Sequence, residues 1–213
     1  MNTPPSTPRK GLPRGVHVAA VLCLILSGLT GMFAAVEATN LTHLSDLREE
    51  APPRMSALGD PAVIEKVVQA QISALEPMRE PRSLILGALA VACAFTFVAA
   101  GRILRPAGLP LEGMRRLLGG AAIAAAVLRT IDGAQWMVVV KRVGIVMAEA
   151  LGTMPEFQHP TTAEQVKSTV PVLMSAGTLA QTIFVAGAFV LIGQYFRSDR
   201  VRAAVTAQDG LRE

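Results

Sequence analysis

Four long stretches of apolar residues, separated by shorter polar segments, dominate the pattern along the chain. An α-helix rises about 1.5 Å per residue, so about 20 apolar residues span a hydrocarbon core about 30 Å thick. Each stretch is long enough for one such crossing. The pattern therefore predicts an all-α integral membrane protein, a bundle of four transmembrane helices at about 16–37, 83–101, 117–140 and 171–196.

The first apolar stretch follows a basic, proline-containing tail, and a secretory signal peptide has the same order of segments. The apolar part of a signal peptide is usually about 7–15 residues long. The stretch from Val16 to Ala35 is longer and contains no Asp, Glu, Lys or Arg. Its length favours a retained membrane anchor, with cleavage as the alternative. Residues 1–15 are predicted to be a disordered tail.

The charges of the segments between the helices predict how the chain crosses the membrane. The segments 1–15, 102–116 and 197–213 are short and basic, whereas 38–82 and 141–170 are longer and carry at least as many acidic as basic residues. Cytoplasmic segments of membrane proteins carry the excess of Lys and Arg. Both tails are therefore predicted to be cytoplasmic, and 38–82 and 141–170 to be extracytoplasmic loops.

Both predicted outer loops contain signals for helices. Asp60 followed by Pro61 is a typical helix start, and the apolar residues that follow recur with a helical period up to Leu75. This pattern predicts a short amphipathic helix that lies on the membrane surface or caps the bundle. Thr161 and Glu164 have the spacing of a capping box, which predicts that the fourth helix begins before it enters the bilayer.

The composition agrees with a membrane protein. Hydrophobic residues make up 51% of the 213 residues and charged residues only 17%, whereas about 25% is typical of soluble domains. Arg greatly outnumbers Lys and Ala is abundant, which favours a bacterial protein with a GC-rich genome. The cations flank apolar stretches, so they do not form a nucleic-acid-binding surface. Cys23 and Cys93 both lie inside apolar stretches, which excludes a disulfide framework and a cysteine-based zinc site.

Arg129 and Asp132 are the charged residues within the third apolar stretch. A charge at the centre of a bilayer costs about 2.5–3.5 kcal/mol on insertion scales, and such residues are often functional. Their i, i+3 spacing places both on one helix face, within pairing distance. Gln135 and Trp136 continue this side of the helix, so we expect the face to point into the bundle.

Counting residues from the outer ends of the four stretches predicts that polar side chains of several helices lie at the level of Asp132. This polar layer has two interpretations, a path or site for an ion or substrate, and a hydrogen-bonded belt that fixes the order of the helices. The belt is the interpretation that we favour, because Ser and Thr are common in transmembrane helices. The predicted members are Arg129, Asp132, Gln135, Thr178, Gln181, Ser27 and Thr30.

The sequence contains no signature of catalysis or of a bound cofactor. It lacks the glycine-rich phosphate loops, H-E-x-x-H and G-x-S-x-G. Glu156 and His159 have the spacing of a metal-binding pair, but three histidines in a chain of this length produce such a pair by chance. We therefore expect no enzyme activity, no metal site and no cofactor.

These observations favour a non-enzymatic, multi-pass protein of a bacterial cytoplasmic membrane. Small residues on the helix faces suggest that it acts, in a structural or regulatory role, through contacts with itself or with a membrane-protein partner. The expected surroundings are the lipid bilayer, and a nucleic acid is not expected. The alternative is a small oligomeric transporter or channel that uses the polar layer around Arg129 and Asp132.

Overall fold

The computed structural model describes residues 12–43, 61–105, 110–152 and 160–210, and all regular structure in these residues is helical. Four helical stretches are long and apolar enough to cross a membrane. The expectation of four such helices is confirmed. The helices are α1 (Arg14–Thr42), α2 (Pro61–Leu75), α3 (Arg79–Leu104), α4 (Leu111–Leu151), α5 (Pro160–Arg197) and α6 (Asp199–Asp209).

Several helices are longer than the apolar stretches that predicted them. In particular, α4 continues to Leu151 and α5 begins at Pro160, so most of the predicted outer loop 141–170 is helical. The reason is that the buried seam of α4 does not end at the first charge. Lys141 and Arg142 are exposed, but Gly144 and Ala148, further along the helix, remain buried.

The amphipathic helix predicted in the first loop is present as α2, although Asp60 lies outside the described residues. A 3-10 turn over Glu76–Met78 joins it directly to α3, so residues 63–104 form one nearly continuous helical stretch. The apolar side of α2 packs against α4, with Ala74 and Leu75 buried in the same cluster as Val139. Thus α2 covers the bundle rather than extending away from it.

The long helices pack in chain order, α1 on α3, α3 on α4 and α4 on α5. The outer members α1 and α5 have only a short contact, where a Cβ on Gly15 would lie 2.9 Å from the Tyr195 hydroxyl. Glycines bring α4 and α5 close together. A Cβ on Gly133 would overlap the Thr182 side chain, and one on Gly144 would lie 3.0 Å from the Pro171 Cα.

The predicted basic tail 197–213 contains a packed helix. In α6, Val201 and Val205 are buried in a cluster that also contains Val16 of α1 and Phe196 of α5. The described ends of the chain therefore meet at one end of the bundle, which also carries Arg102, Arg115, Arg116 and Arg197. We call this the basic end.

Candidate functional site

A salt bridge between buried charges joins α3 to α4. The Arg82 side chain is 1% exposed and that of Asp132 is not exposed at all. The Arg82 Nη2 atom lies 2.9 Å from Asp132 Oδ1, and Arg82 Nη1 donates a hydrogen bond of 3.3 Å to the backbone carbonyl of Asp132. One guanidinium thus holds both the side chain and the backbone of the neighbouring helix.

Glu37 connects α1 to the same guanidinium. Its Oε1 atom accepts hydrogen bonds from Arg82 Nε at 3.2 Å and from Arg82 Nη2 at 2.6 Å. Because the Glu37 side chain is 37% exposed, this carboxylate is the most accessible part of the site. Charge-assisted bonds of this kind are stronger than those between neutral groups.

Arg129 completes the site. Its guanidinium pairs with Asp132 Oδ2, three residues along α4, while its side chain is 20% exposed. Two arginines and two carboxylates therefore form a network with no net charge, which we call the charge network (Glu37, Arg82, Arg129 and Asp132). Mutual pairing offsets part of the large cost of removing these charges from water.

Trp136 covers one side of the charge network. The ring centroid lies 5.0 Å from the Arg82 Cζ atom, within the range of a cation–π contact. Trp136 follows Asp132 by one helical turn, so α4 presents the carboxylate and the aromatic ring to the same guanidinium. It is the only tryptophan in the chain, which makes its fluorescence a direct reporter of this site.

The charge network lies at the end of two apolar stretches. Glu37 follows the stretch of α1 and Arg82 directly precedes that of α3, whereas the apolar stretch of α4 continues for eight residues beyond Asp132 to Val140. The part of α4 beyond Asp132 is covered partly by α2, as the burial of Val139 shows. Counting depth from Val140 therefore misplaced Asp132 relative to α1 and α3.

The structure brings together only part of the predicted polar layer. Arg129 and Asp132 are paired, and Gln135 lies one turn from them with a buried Oε1 atom that has no hydrogen-bond partner among the described residues. The Asp132 Oδ1 atom is in the same situation, because the nearby Arg82 nitrogen does not make a hydrogen bond to it.

The remaining predicted members lie apart from the charge network. Ser27 is buried and bonds the Cys23 carbonyl of its own helix, about 15 Å below Glu37 at the helical rise. Thr30 is half-buried on the same helix, about 10 Å below Glu37. Thr178 bonds the Met174 carbonyl of α5 and Gln181 is exposed. Gln181 and Thr178 lie close to the level of Asp132 along α5, but the residue of α5 that contacts α4 next to Asp132 is Thr182, which faces Gly133.

Sequence reasoning missed the central role of Arg82 and the participation of Glu37. Both lie at the ends of apolar stretches, where a charge is usually explained as a membrane-flanking residue. The signal in the sequence was Asp132 itself. A buried carboxylate with only one cation on its own helix needs further hydrogen-bond donors from neighbouring helices. Arg82 and Glu37 are the flanking charges on the two neighbouring helices that reach this level.

A second charged cluster lies at the basic end. Arg115, 5% exposed, donates to both oxygens of Glu112 at 2.7 and 2.8 Å, and its Nη1 donates to the Phe196 carbonyl. Glu112 also accepts a bond of 2.8 Å from Arg116. Hydrogen bonds from Arg115 lower the pKa of Glu112, which precedes the apolar stretch of α4, to about 2.

The C-terminal helix caps α4 at the basic end. The two carboxylate oxygens of Asp209 accept hydrogen bonds from the backbone nitrogens of Leu111 and Glu112, at 3.0 and 3.1 Å. An acidic residue from elsewhere in the chain thus satisfies donors at the start of a helix that otherwise lack partners. This contact fixes α6 to the bundle.

No group of three or more metal-ligating side chains occurs within the described residues, and Glu156 and His159, whose spacing we attributed to chance, lie outside them. Comparisons of the chain with protein-family models, with curated proteins and with solved structures found no match. The chemistry of the described residues is therefore the basis for any functional conclusion.

Proposed function

We propose that this protein is a non-enzymatic, multi-pass membrane protein that acts in a structural or regulatory role through helix contacts, with itself or with a membrane-protein partner. The observation that carries the proposal is the charge network. Its two positive and two negative charges neutralise one another while joining α1, α3 and α4. Such a network stabilises one arrangement of the helices.

The surface that we assign to partner contacts lies beyond the charge network, at the end opposite to the basic end. There α2 and the extended parts of α4 and α5 pack side by side, with a groove of about 720 Å³ between α2 and α4. Glu65, Lys66 and Glu149 line this groove and give it a mixed charge. A surface built from packed helices keeps its shape, which favours specific contacts.

The location and topology follow from the charges of the sequence. We propose a bacterial cytoplasmic membrane, with the basic end and both tails in the cytoplasm and α2 outside. The clustered arginines of the basic end support this orientation.

The experiment that tests the main proposal compares the wild-type protein with Asp132→Asn in two assays. The first is elution volume and copurified protein in a mild detergent, and the second is proton flux into liposomes. We expect the wild type to be self-associated or partner-bound and to carry no flux above that of empty liposomes. We expect Asp132→Asn to be less stable. A strictly monomeric wild type without a partner would contradict the proposal.

A second candidate function, a small oligomeric transporter or channel, is favoured by one specific observation. Gln135 Oε1 is a buried acceptor without a hydrogen bond among the described residues, and Asp132 Oδ1 has only its ion pair with Arg82; a buried acceptor without a partner needs an explanation. Asp132 is linked through Arg82 to Glu37, the most accessible member of the charge network. The transporter predicts a flux in the wild type that Asp132→Asn abolishes while the protein stays folded.

A further inference from the structure

An open groove runs between α3 and α4 on the outer surface of the bundle. Its volume is about 650 Å³, within the range of about 300–1,000 Å³ of ligand pockets. On α4 it extends from Arg116 to Leu128, about 18 Å at the helical rise. Except at Arg116, its lining is apolar and is composed mainly of Gly, Ala and other aliphatic side chains.

Two glycines of this groove have no partner inside the protein. A Cβ added to Gly87 or to Gly120 would meet no atom within 4 Å. The glycines of the α4–α5 interface differ, because a Cβ on Gly133 would overlap Thr182. Packing between the helices of this chain therefore does not require glycine at these two positions. Both glycines leave space on the surface for a molecule from outside the chain.

Among the described residues that line the groove, Arg116 is the only cation, and it lies at one of the two ends. Arg116 lies at the basic end, with 70% of its side chain exposed. Its Nε atom bonds Glu112, whereas its two terminal nitrogens have no partner within the described residues. Glu112 also accepts two hydrogen bonds from Arg115. The two arginines outnumber the one carboxylate, so these three residues together carry a net positive charge. The remaining donors of Arg116 are suited to an anion such as a phosphate.

The occupant must therefore be apolar along about 18 Å and anionic at the basic end. Half of a hydrocarbon core of about 30 Å is about 15 Å, so the groove has the length of one acyl chain in one leaflet. A second copy of this protein fits less well. In a symmetric dimer with its axis along the membrane normal, residues at equal depth meet, and Arg116 would face Arg116.

We propose that this groove binds the acyl chain of an anionic phospholipid whose phosphate pairs with Arg116. Basic sites between transmembrane helices recognise anionic lipid headgroups in this way. The lipid would fill the space above Gly87 and Gly120 and join α3 to α4 on the side opposite to the buried interface. This proposal does not depend on the partner contacts proposed above.

Native mass spectrometry of the full-length protein tests the proposal, with phosphatidylglycerol and phosphatidylcholine of identical acyl chains as probes. Gly120→Leu fills the groove and Arg116→Gln removes the cation. Gly177→Leu is the matched control, because a Cβ there also meets no atom within 4 Å and the residue lies on α5. Arg202→Gln on α6 controls for the loss of an exposed cation.

We expect the wild type and both controls to retain phosphatidylglycerol with at least about a tenfold preference over phosphatidylcholine. Gly120→Leu and Arg116→Gln should each lower this retention at least about tenfold while Trp136 fluorescence stays unchanged. If Gly120→Leu does not fold, Ala124→Leu blocks the same groove.

Three results would overturn the proposal. The first is equal retention of the two lipids by the wild type, or retention of neither. The second is wild-type retention in both groove variants. The third is a wild-type dimer that Gly120→Leu converts to a monomer, since this would make the groove a contact between protein helices.

Discussion

The basic end and the charge network each contain a buried arginine, but the two arginines are paired in different ways. At the basic end, Arg115 bonds a carboxylate only three residues away on its own helix and the end of α5. In the charge network, Arg82 bonds Glu37 and Asp132, which lie 45 and 50 residues away on two other helices. The first arrangement lies at a helix end and joins α4 to α5, whereas the second joins α1, α3 and α4.

This difference has an energetic consequence. Glu112 has a second cation, Arg116, and 23% of its side chain is exposed, so its charge is compensated even without Arg115. Asp132 has no exposure, and it relies on Arg82 and Arg129. Breaking a buried pair leaves an uncompensated charge, which is more costly than losing an exposed pair. The two arginines therefore form a matched test.

The largest expected effect comes from replacing each buried arginine with Met. We expect Arg82→Met to lower the free energy of unfolding by about 3–5 kcal/mol, because it leaves Asp132 and Glu37 short of a partner. Arg115→Met should cost about 1.5–3 kcal/mol, the value of hydrogen bonds to charged groups. Unfolding in detergent, followed by Trp136 fluorescence, measures both. Equal losses of unfolding free energy in Arg82→Met and Arg115→Met would mean that pairing between helices adds no stability beyond that of pairing within one helix.

The second prediction removes the partner as well. In Arg82→Met combined with Asp132→Leu, one cation and one carboxylate remain, Arg129 and Glu37, and both are partly exposed. We expect the double variant to lose less free energy of unfolding than the two single variants lose together, by about 0.5–3 kcal/mol. The same unfolding assay gives this coupling energy. Additive losses would show that Arg82 and Asp132 act independently.

The third prediction concerns helix packing beside each cluster. Gly133→Ala forces a methyl group into Thr182 next to the charge network, and we expect a loss of about 1–3 kcal/mol from overpacking. Near the basic end, a Cβ on Gly119 comes within 2.9 Å of the flexible Arg197 side chain and 3.3 Å of the Gly193 carbonyl. Gly119→Ala should therefore cost less. A reversed order in thermal unfolding would contradict this account of the α4–α5 interface.

The smallest expected effect is at the helix cap of the basic end. Asp209→Ala should cost about 1 kcal/mol, because the backbone nitrogens of Leu111 and Glu112 lose their acceptor. Asp209→Asn keeps an acceptor oxygen and is the control. Limited proteolysis of α6 checks the result, and cleavage should be faster in Asp209→Ala only. Equal rates of cleavage in the two variants would contradict the role of Asp209 as a cap of α4.

The local parts of the fold could be predicted from the sequence because they depend on nearby residues. The length of the apolar stretches predicted the four long helices. The helical period of apolar residues predicted α2, and the i, i+3 spacing predicted the pairing of Arg129 with Asp132. The partners Arg82 and Glu37 could not be found in this way. Their contact depends on how far each helix is shifted along its neighbour, and apolar stretches of unequal length do not determine that shift.

Several residues of the predicted polar layer do not contact the charge network, because hydrogen bonds within their own helix already satisfy them. Ser27 and Thr178 each bond a carbonyl of their own helix, so their polarity requires no neighbouring helix. The early start of α5 agrees with the spacing of Thr161 and Glu164, whereas the extension of α4 was missed because hydropathy detects the apolar stretch and not the helix. Gly144 and Ala148 continue the buried seam beyond Lys141 and Arg142.

If the charge network holds α1, α3 and α4 together without a path for water, side chains on the basic-end side of Asp132 are closed to water from outside. Labelling of a cysteine there tests this most directly. Ala126 is 2% exposed and lies about 9 Å from Asp132 toward the basic end. In a protein with Cys23→Ala and Cys93→Ala, Ala126→Cys is treated in intact cells with a membrane-impermeant thiol reagent. Thr39→Cys, exposed near Glu37, is the control. We predict rapid labelling at position 39 and none at 126. Labelling at 126 at a comparable rate would contradict the claim and favour the transporter.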